Sequence, residues 1–278
     1  MKHSYFLFCF FFTAVTACYS QADWFVSAGL GPINYVGDLR DKRFTTTGMK
    51  LNGSLGLTYQ PSPHISWNFT FTAGKIAATD EQNGPKWKYR NLSFQTLLFE
   101  GALTGEWDFY DITQPENSFA DQNPQKFTPF LFAGVALFHF NPYTYDQAGN
   151  KVHLEPLGTE GQTNPYSLWQ FAIPFGIGAK YALNNTTVIS AEFNVRKTFT
   201  DYIDDVSHFH YVDTTALLAS HGQEAASLSY RADEIPNNPY SFKDGYRGNP
   251  NKKDGYYSFM IKVSFQLFTN RPQFYYGY

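Results

Sequence analysis

Asp201, Asp204, Asp205, His208 and His210 are the residues whose types and spacing come nearest to chemistry in this 278-residue chain. An acid and histidine group at the rim of a fold can activate water, which would make a rim protease. Yet Asp204, Asp205, His208 and His210 follow one another along a single segment, whereas such a site draws on separate strands. Asp201, Asp204, Asp205 and Asp213 also offer oxygen ligands for calcium, at spacings that match no calcium loop. No nucleophile elbow, phosphate-binding glycine loop or zinc spacing occurs elsewhere, and Gly29-Leu30-Gly31 and Gly176-Ile177-Gly178 read as strand glycines. The expectation is a protein that is not an enzyme, with no catalytic residue, cofactor, metal or small-molecule substrate.

The elements that hold the acid group give it a different meaning. From Phe193 to Arg196 the chain alternates, with Phe193 and Val195 on one face and Asn194 and Arg196 on the other. Beyond Thr200 the alternation stops, and almost fifty residues without a sustained period follow. Seven other stretches alternate in the same way: Trp24 to Gly37, Met49 to Gln60, Ile65 to Thr72, Thr96 to Phe109, Thr128 to Phe140, Trp169 to Tyr181 and Tyr256 to Phe268. In the stretch from Thr128 to Phe140 the outer face is ambiguous, since Phe130, Phe132 and Phe138 compete for it with Leu131, Val135 and Leu137. Pro61-Ser62-Pro63 and Asn184-Asn185 mark short turns.

Composition says where such strands lie. Aromatic residues make up 19% and charged residues 16%, against roughly 25% charged in ordinary soluble domains. This balance favours β structure with an apolar surface, and a net charge of −3 gives no case for a nucleic-acid partner. Residues 1–22 read as a secretory signal, with Lys2 and His3 before the apolar run Tyr5 to Val15 and Ser20-Gln21-Ala22 as the cleavage site. Val15-Thr16-Ala17-Cys18 offers the competing reading of a lipidated Cys18; ordinary cleavage before Asp23 is the expectation. Cys9 and Cys18 are the two cysteines, so a chain beginning at Asp23 has no thiol and no disulfide.

An exported, aromatic-rich chain without a long apolar helix enters a membrane as a closed barrel, because lipid leaves no backbone polar group a partner outside the sheet. The expected fold is all-β: a closed antiparallel transmembrane β-barrel of about eight strands, of OmpA/OmpX-like size, spanning residues 23–278 as one domain in contact with outer-membrane lipids. Both termini then lie in the periplasm, and a long external loop covers about 201–254. Tyr110 to Lys126 departs from the pattern as a long periplasmic turn. The soluble alternative, a secreted sandwich or lipocalin-like barrel, uses the same alternation but does not call for outer rows such as Trp67-x-Phe69-x-Phe71.

An eight-strand interior is just wide enough to be filled by side chains. Glu100, Glu106, Lys180, Glu192, Arg196 and Lys262 are predicted to point into it as a structural charge network. The acid group Asp201 to Asp205 then reads as the base of the external loop, a solvated segment whose aspartates cap turns.

Several segments, taken together, resemble the PorG-like family of outer-membrane proteins of Bacteroidota. They are Asn34-Tyr35-Val36-Gly37-Asp38-Leu39, Arg90-Asn91-Leu92-Ser93-Phe94, Thr128 to Gly134, Leu157-Gly158-Thr159-Glu160-Gly161-Gln162, Pro174 to Gly178, Arg196 to Ser207 with Asp201, Tyr202, Asp204 and Asp205, and Arg247-Gly248-Asn249-Pro250. The resemblance implies a β-barrel and a part in type IX protein secretion, in association with periplasmic ring lipoproteins. It carries no catalytic residues, and it leaves a small pore or a surface receptor or adhesin as the alternative function. The ring-facing surface would be Pro61 to His64, Tyr110 to Lys126, Asn184-Asn185 and the tail after Phe268.

Overall fold

The computed structural model describes residues 22–85, 87–112, 125–238 and 246–269. Eight long strands form the wall: β1 (Asp23–Val36), β2 (Lys50–Ser62), β3 (Ile65–Thr79), β4 (Ser93–Asp108), β5 (Phe127–His139), β8 (Trp169–Asn184), β9 (Thr187–Thr198) and β10 (Gly255–Thr269). A small hairpin, β6 (Tyr143–Tyr145) and β7 (Lys151–His153), stands on the β5–β8 connection. Each wall strand pairs antiparallel with its neighbours, β10 returns to β1, and the β3–β4 pairing joins the two ends of the strand order, so the sheet closes. Closure removes the free edge that lipid would otherwise punish.

The alternation sorts side chains as the physics of a lipid-facing wall requires. Leu55, Trp67, Phe69, Leu103, Trp107, Phe171, Phe175, Ile261 and Phe265 are exposed on the outside, while Thr72, Glu100, Ser190, Glu192 and Asn194 on the opposite parity are buried inside. No helix among the described residues is long and apolar enough to cross a membrane; the strands do the crossing.

On β5 the competing faces resolve. Phe130, Phe132 and Phe138 are buried inside, and Leu131, Val135 and Leu137 face out. The reason lies one strand away: a Cβ on Gly178 would sit 2.3 Å from the Phe130 ring, and one on Gly176 2.5 Å from the Phe132 ring. Two glycines on β8 thus make the space that two phenyl rings fill. Their partners across the sheet are Phe130↔Gly178 and Phe132↔Gly176.

The connections divide by length with one exception. Those after β1, β3, β5 and β9 are long and share one end of the barrel; the two-residue turns 63–64 and 185–186 and both strand termini share the other, together with the long 109–126 connection after β4. The stretch after Thr200 contains more order than its lack of period suggests. A helix, α1 (Thr214–Ser229), begins where the Asp213 side chain accepts the Ala216 amide at 2.8 Å, and it is broken at Gly222, whose φ is 86°. Residues 1–21, which hold most of the expected signal sequence and Cys18, lie outside the described residues, as do 113–124 of the Tyr110 to Lys126 connection and the tail from 270.

Candidate functional site: the lumen and the cap over it

Inside the wall the acids and bases meet in three groups. Arg196 on β9 binds Glu100 on β4 through Nε at 3.2 and 3.1 Å and Nη2 at 2.8 Å, and the Tyr256 hydroxyl donates to the same carboxylate at 2.6 Å. Lys180 lies between Glu106 and Asp108, 2.9 Å from the latter, and Glu106 also accepts from Ser66 at 2.9 Å. Lys262 pairs with Glu192 at 2.7 Å. Asp108, 1% exposed at the end of β4, is a member of this network beyond the six charges predicted to point inward. What remains between the groups is a cavity of about 30 Å³, walled by Asn68, Glu106, Glu192, Arg196 and Lys262 among others. That is space for about two or three water molecules.

Above the lumen the long loops fold into a buried cap, and here the solvated reading of the acid group is overturned. Asp201, Asp204 and Asp205 are each no more than 2% exposed. They are drawn in because backbone amides and hydroxyls wait for them: Asp204 accepts the Val206 amide at 2.9 Å, Asp201 accepts the Ser207 hydroxyl at 2.8 Å, and Asp205 accepts Thr159 at 2.5 Å and Tyr166 at 2.9 Å. Asp205 takes a left-handed φ of 64°, a conformation aspartate tolerates better than most residues. The histidines do not join them. His208 is half exposed with its ring 3.9 Å from Glu160, His210 is exposed, and Asp213 caps α1 instead of meeting the other acids. Among the described residues no group of three or more acids, histidines and cysteines is arranged to hold a metal ion.

The segments singled out in the sequence converge on this cap from distant parts of the chain. The Tyr35 hydroxyl lies 2.5 Å from Asp204 Oδ2 and 2.9 Å from Asp254 Oδ1. One hydroxyl has one proton, so only one of these carboxylates can accept from it, and the other must be protonated to be satisfied. The electrostatics agree: burial, then neighbouring acids, push both Asp204 and Asp254 well above the usual carboxylate range. Gly37 is glycine because a Cβ there would fall 1.8 Å from the Tyr35 hydroxyl and 2.0 Å from Asp254. Asp38 accepts the Asn249 amide at 2.7 Å. Glu160, just past the turn at Gly158, takes the amides of Ser207 and His208 at 2.9 and 3.0 Å and has Arg247 at 3.3 Å. Tyr202 stacks on Tyr166 with ring centres 4.7 Å apart.

Two members of the set act elsewhere. Asn34 works on the outside of the wall, where its amide holds the carbonyls of Thr45 and Thr47 at 2.7 and 3.1 Å and pins the β1–β2 loop down. Tyr257 shares the outward parity of Phe259 in the alternation of β10, yet that loop, with Phe44 against its ring, covers it to 2% exposure. Arg196 belongs to the lumen. The cap also depends on a residue whose role in it the sequence left unassigned, Asp80, which grips Arg90 through both oxygens at 2.7 and 2.6 Å. Arg90 in turn donates to the carbonyls of Asp38 and Arg247, so one guanidinium ties three loops together.

The cap carries more buried acids than bases, and this sets a pH dependence. Burial pushes Asp201 and Asp205 up to about 6, against the fields of Lys253 and Arg247 respectively. In an opened cap these groups return to the ordinary value of about 3.9. A raised acid stabilises the closed form fully below the open-state value and loses that contribution as the pH rises through the closed-state value. The cap is therefore expected to tighten from pH 8 to pH 5, by about 1.4 kcal/mol from Asp205, since pH 5 lies about one unit below its closed-state value. Cleavage within 199–254 by a protease matched for activity at both pH values should be slower at pH 5; equal cleavage would count against protonated aspartates in the cap.

The solved structures similar to this fold include neisserial surface protein A, with 10% identity over 88% of this chain and 99% of that one at a TM-score of 0.45. OprG from Pseudomonas aeruginosa matches with 9% identity over 89% and 97% at 0.40. The attachment invasion locus protein of Yersinia pestis matches with 5% identity over 89% and 99% at 0.39. No curated protein matches the sequence. The model of one family matches residues 3–210, the greater part of the chain, and on that match the protein belongs to the family described as a domain of unknown function, DUF6089.

Proposed function

We propose that this outer-membrane β-barrel is a non-enzymatic structural member of a secretion machine, a PorG-like component of type IX protein secretion that associates with periplasmic ring lipoproteins. The filled lumen carries the first half of this reading. Three ion-paired groups leave room for only about two or three waters, so the useful surfaces of the barrel are its two ends and its lipid-facing wall. The secretion role comes from the ordered sequence blocks, most of which build the cap or its attachment to the wall.

On this reading both termini and the short-turn end face the periplasm. The ring would meet Pro61 to His64, Tyr110 to Lys126, Asn184-Asn185 and the tail after Phe268. Deleting part of 110–126 is expected to abolish co-purification with ring lipoproteins while the barrel keeps its heat-dependent shift on gels. Unchanged co-purification would sink the ring role. A small pore is the competing class; single-channel recording in planar bilayers is expected to show no sizeable conductance, and a steady solute-sized conductance would favour it. A surface receptor is favoured by one observation, the hollow beside the cap.

A further inference from the structure

Beside the cap, at the long-loop end, lies a cavity of about 390 Å³, within the size range of small-ligand sites. Its wall combines aromatic faces with charged groups of both signs. Trp87, Phe209 and Tyr246 give it aromatic faces, with Phe209 and Tyr246 exposed and packed edge to face 5.9 Å apart. Arg40, Arg90, Arg247 and Lys252 give it positive charge that outweighs the carboxylates Asp38 and Asp41 in the same wall, and Asn249 adds a neutral amide.

Arg40 is the unusual member. It is 3% exposed, yet among the described residues no carboxylate oxygen lies within ion-pair distance of its guanidinium. Its contacts are two long hydrogen bonds, to Gln82 at 3.3 Å and the Ala77 carbonyl at 3.4 Å, and its Nε has no partner. The other buried guanidinium groups of the cap have acids: Arg90 has Asp80, and Arg247 has Glu160. A buried charge without a counter-ion is costly, and an arriving anion removes that cost. The amphipathic aromatic rim selects among anions, because stacked aromatic faces suit a flat ligand with an apolar side and gain nothing from a bare ion.

We infer that this cavity binds an acidic saccharide, its carboxylate directed to Arg40 and Lys252 and its sugar ring laid on the face of Tyr246 or Phe209. Guanidinium recognises a carboxylate through paired hydrogen bonds, and Asn249 is placed for a ring hydroxyl. The inference does not depend on the ring role, because the cavity lies at the end opposite the short turns. Two sources carry this chemistry: sugar acids of the protein's own lipopolysaccharide and soluble polysaccharide from outside.

The test titrates the full-length barrel in detergent with a galacturonic acid disaccharide and with a neutral disaccharide of the same size, reading intrinsic fluorescence and calorimetry. Saturable binding of the acid form is expected, at least about tenfold tighter than the neutral form, as a hydrogen-bonded charge requires. Arg40→Gln and the rim variant Tyr246→Ala should each weaken it about tenfold or more while the gel shift of the folded barrel is kept. No saturable binding up to about 10 mM, equal affinity for the two sugars, or affinity unchanged in folded Tyr246→Ala protein overturns the inference. Native mass spectrometry of protein from cells separates the sources. Retained lipopolysaccharide that Arg40→Gln loses assigns the site to the protein's own membrane, and binding of the soluble acid by lipopolysaccharide-free protein alone assigns it to an external glycan.

Discussion

Glu100→Ala is expected to destabilise the barrel by about 3–5 kcal/mol, the cost of leaving one partner of a buried ion pair alone. The effect sits at the large end because of what Glu100 leaves behind. Arg196 is 9% exposed and its Nη1 already lacks a partner; without Glu100, its Nε and Nη2 and the Tyr256 hydroxyl lose theirs as well. Replacing both charges, as in Glu100→Leu with Arg196→Met, should cost much less than Glu100→Ala alone, since no charge is then stranded. Urea unfolding in micelles measures both. A double variant whose loss equals the sum of the single losses would show that the two side chains do not act as a pair in the lumen.

Asp80→Ala is expected to act as strongly on the cap while sparing the wall. Arg90 is 1% exposed and holds the carbonyls of Asp38 and Arg247 only while Asp80 neutralises and orients it. Removing the acid strands the charge, and about 3–5 kcal/mol of cap stability is expected to go with it. Opening of the cap should then be favoured by about a hundredfold or more, which hydrogen exchange at the Ile203, Val206 and Ser207 amides reads directly. The gel shift and urea transition of the barrel should stay close to the parent protein. Unaltered exchange at those amides would mean that Arg90 does not hold the loops together. Comparing this variant with Glu100→Ala tests whether lumen and cap are separable units.

How far the sequence could be read differs between wall and cap for a physical reason. A strand in a lipid-facing wall has two environments, so one residue in two reports on lipid and the next on the interior; Phe193 and Arg196 could be assigned from their own neighbours alone. The rule weakened at Phe130 and Phe132, because an aromatic ring suits either side. The deciding signal was on another strand, in Gly176 and Gly178, and pairing aromatic residues with glycines of a neighbouring strand would have found it. In the cap no period exists to be read. Tyr35 reaches Asp204 across 169 residues of sequence, and Arg90 reaches Arg247 across 157. The helix α1 went unseen because Gly222 breaks its period midway.

By itself the sequence determined that this protein is a closed antiparallel barrel, which strands cross the membrane and which charges lie inside, since each follows from a local alternation between apolar and polar residues. Only the tertiary structure decided that Asp201, Asp204 and Asp205 are buried, that no carboxylate among the described residues pairs with Arg40, and that a hollow lies beside it. Burial and ion pairing in the cap depend on loops separated by most of the chain coming together over the lumen. No residue in those loops carries that information alone.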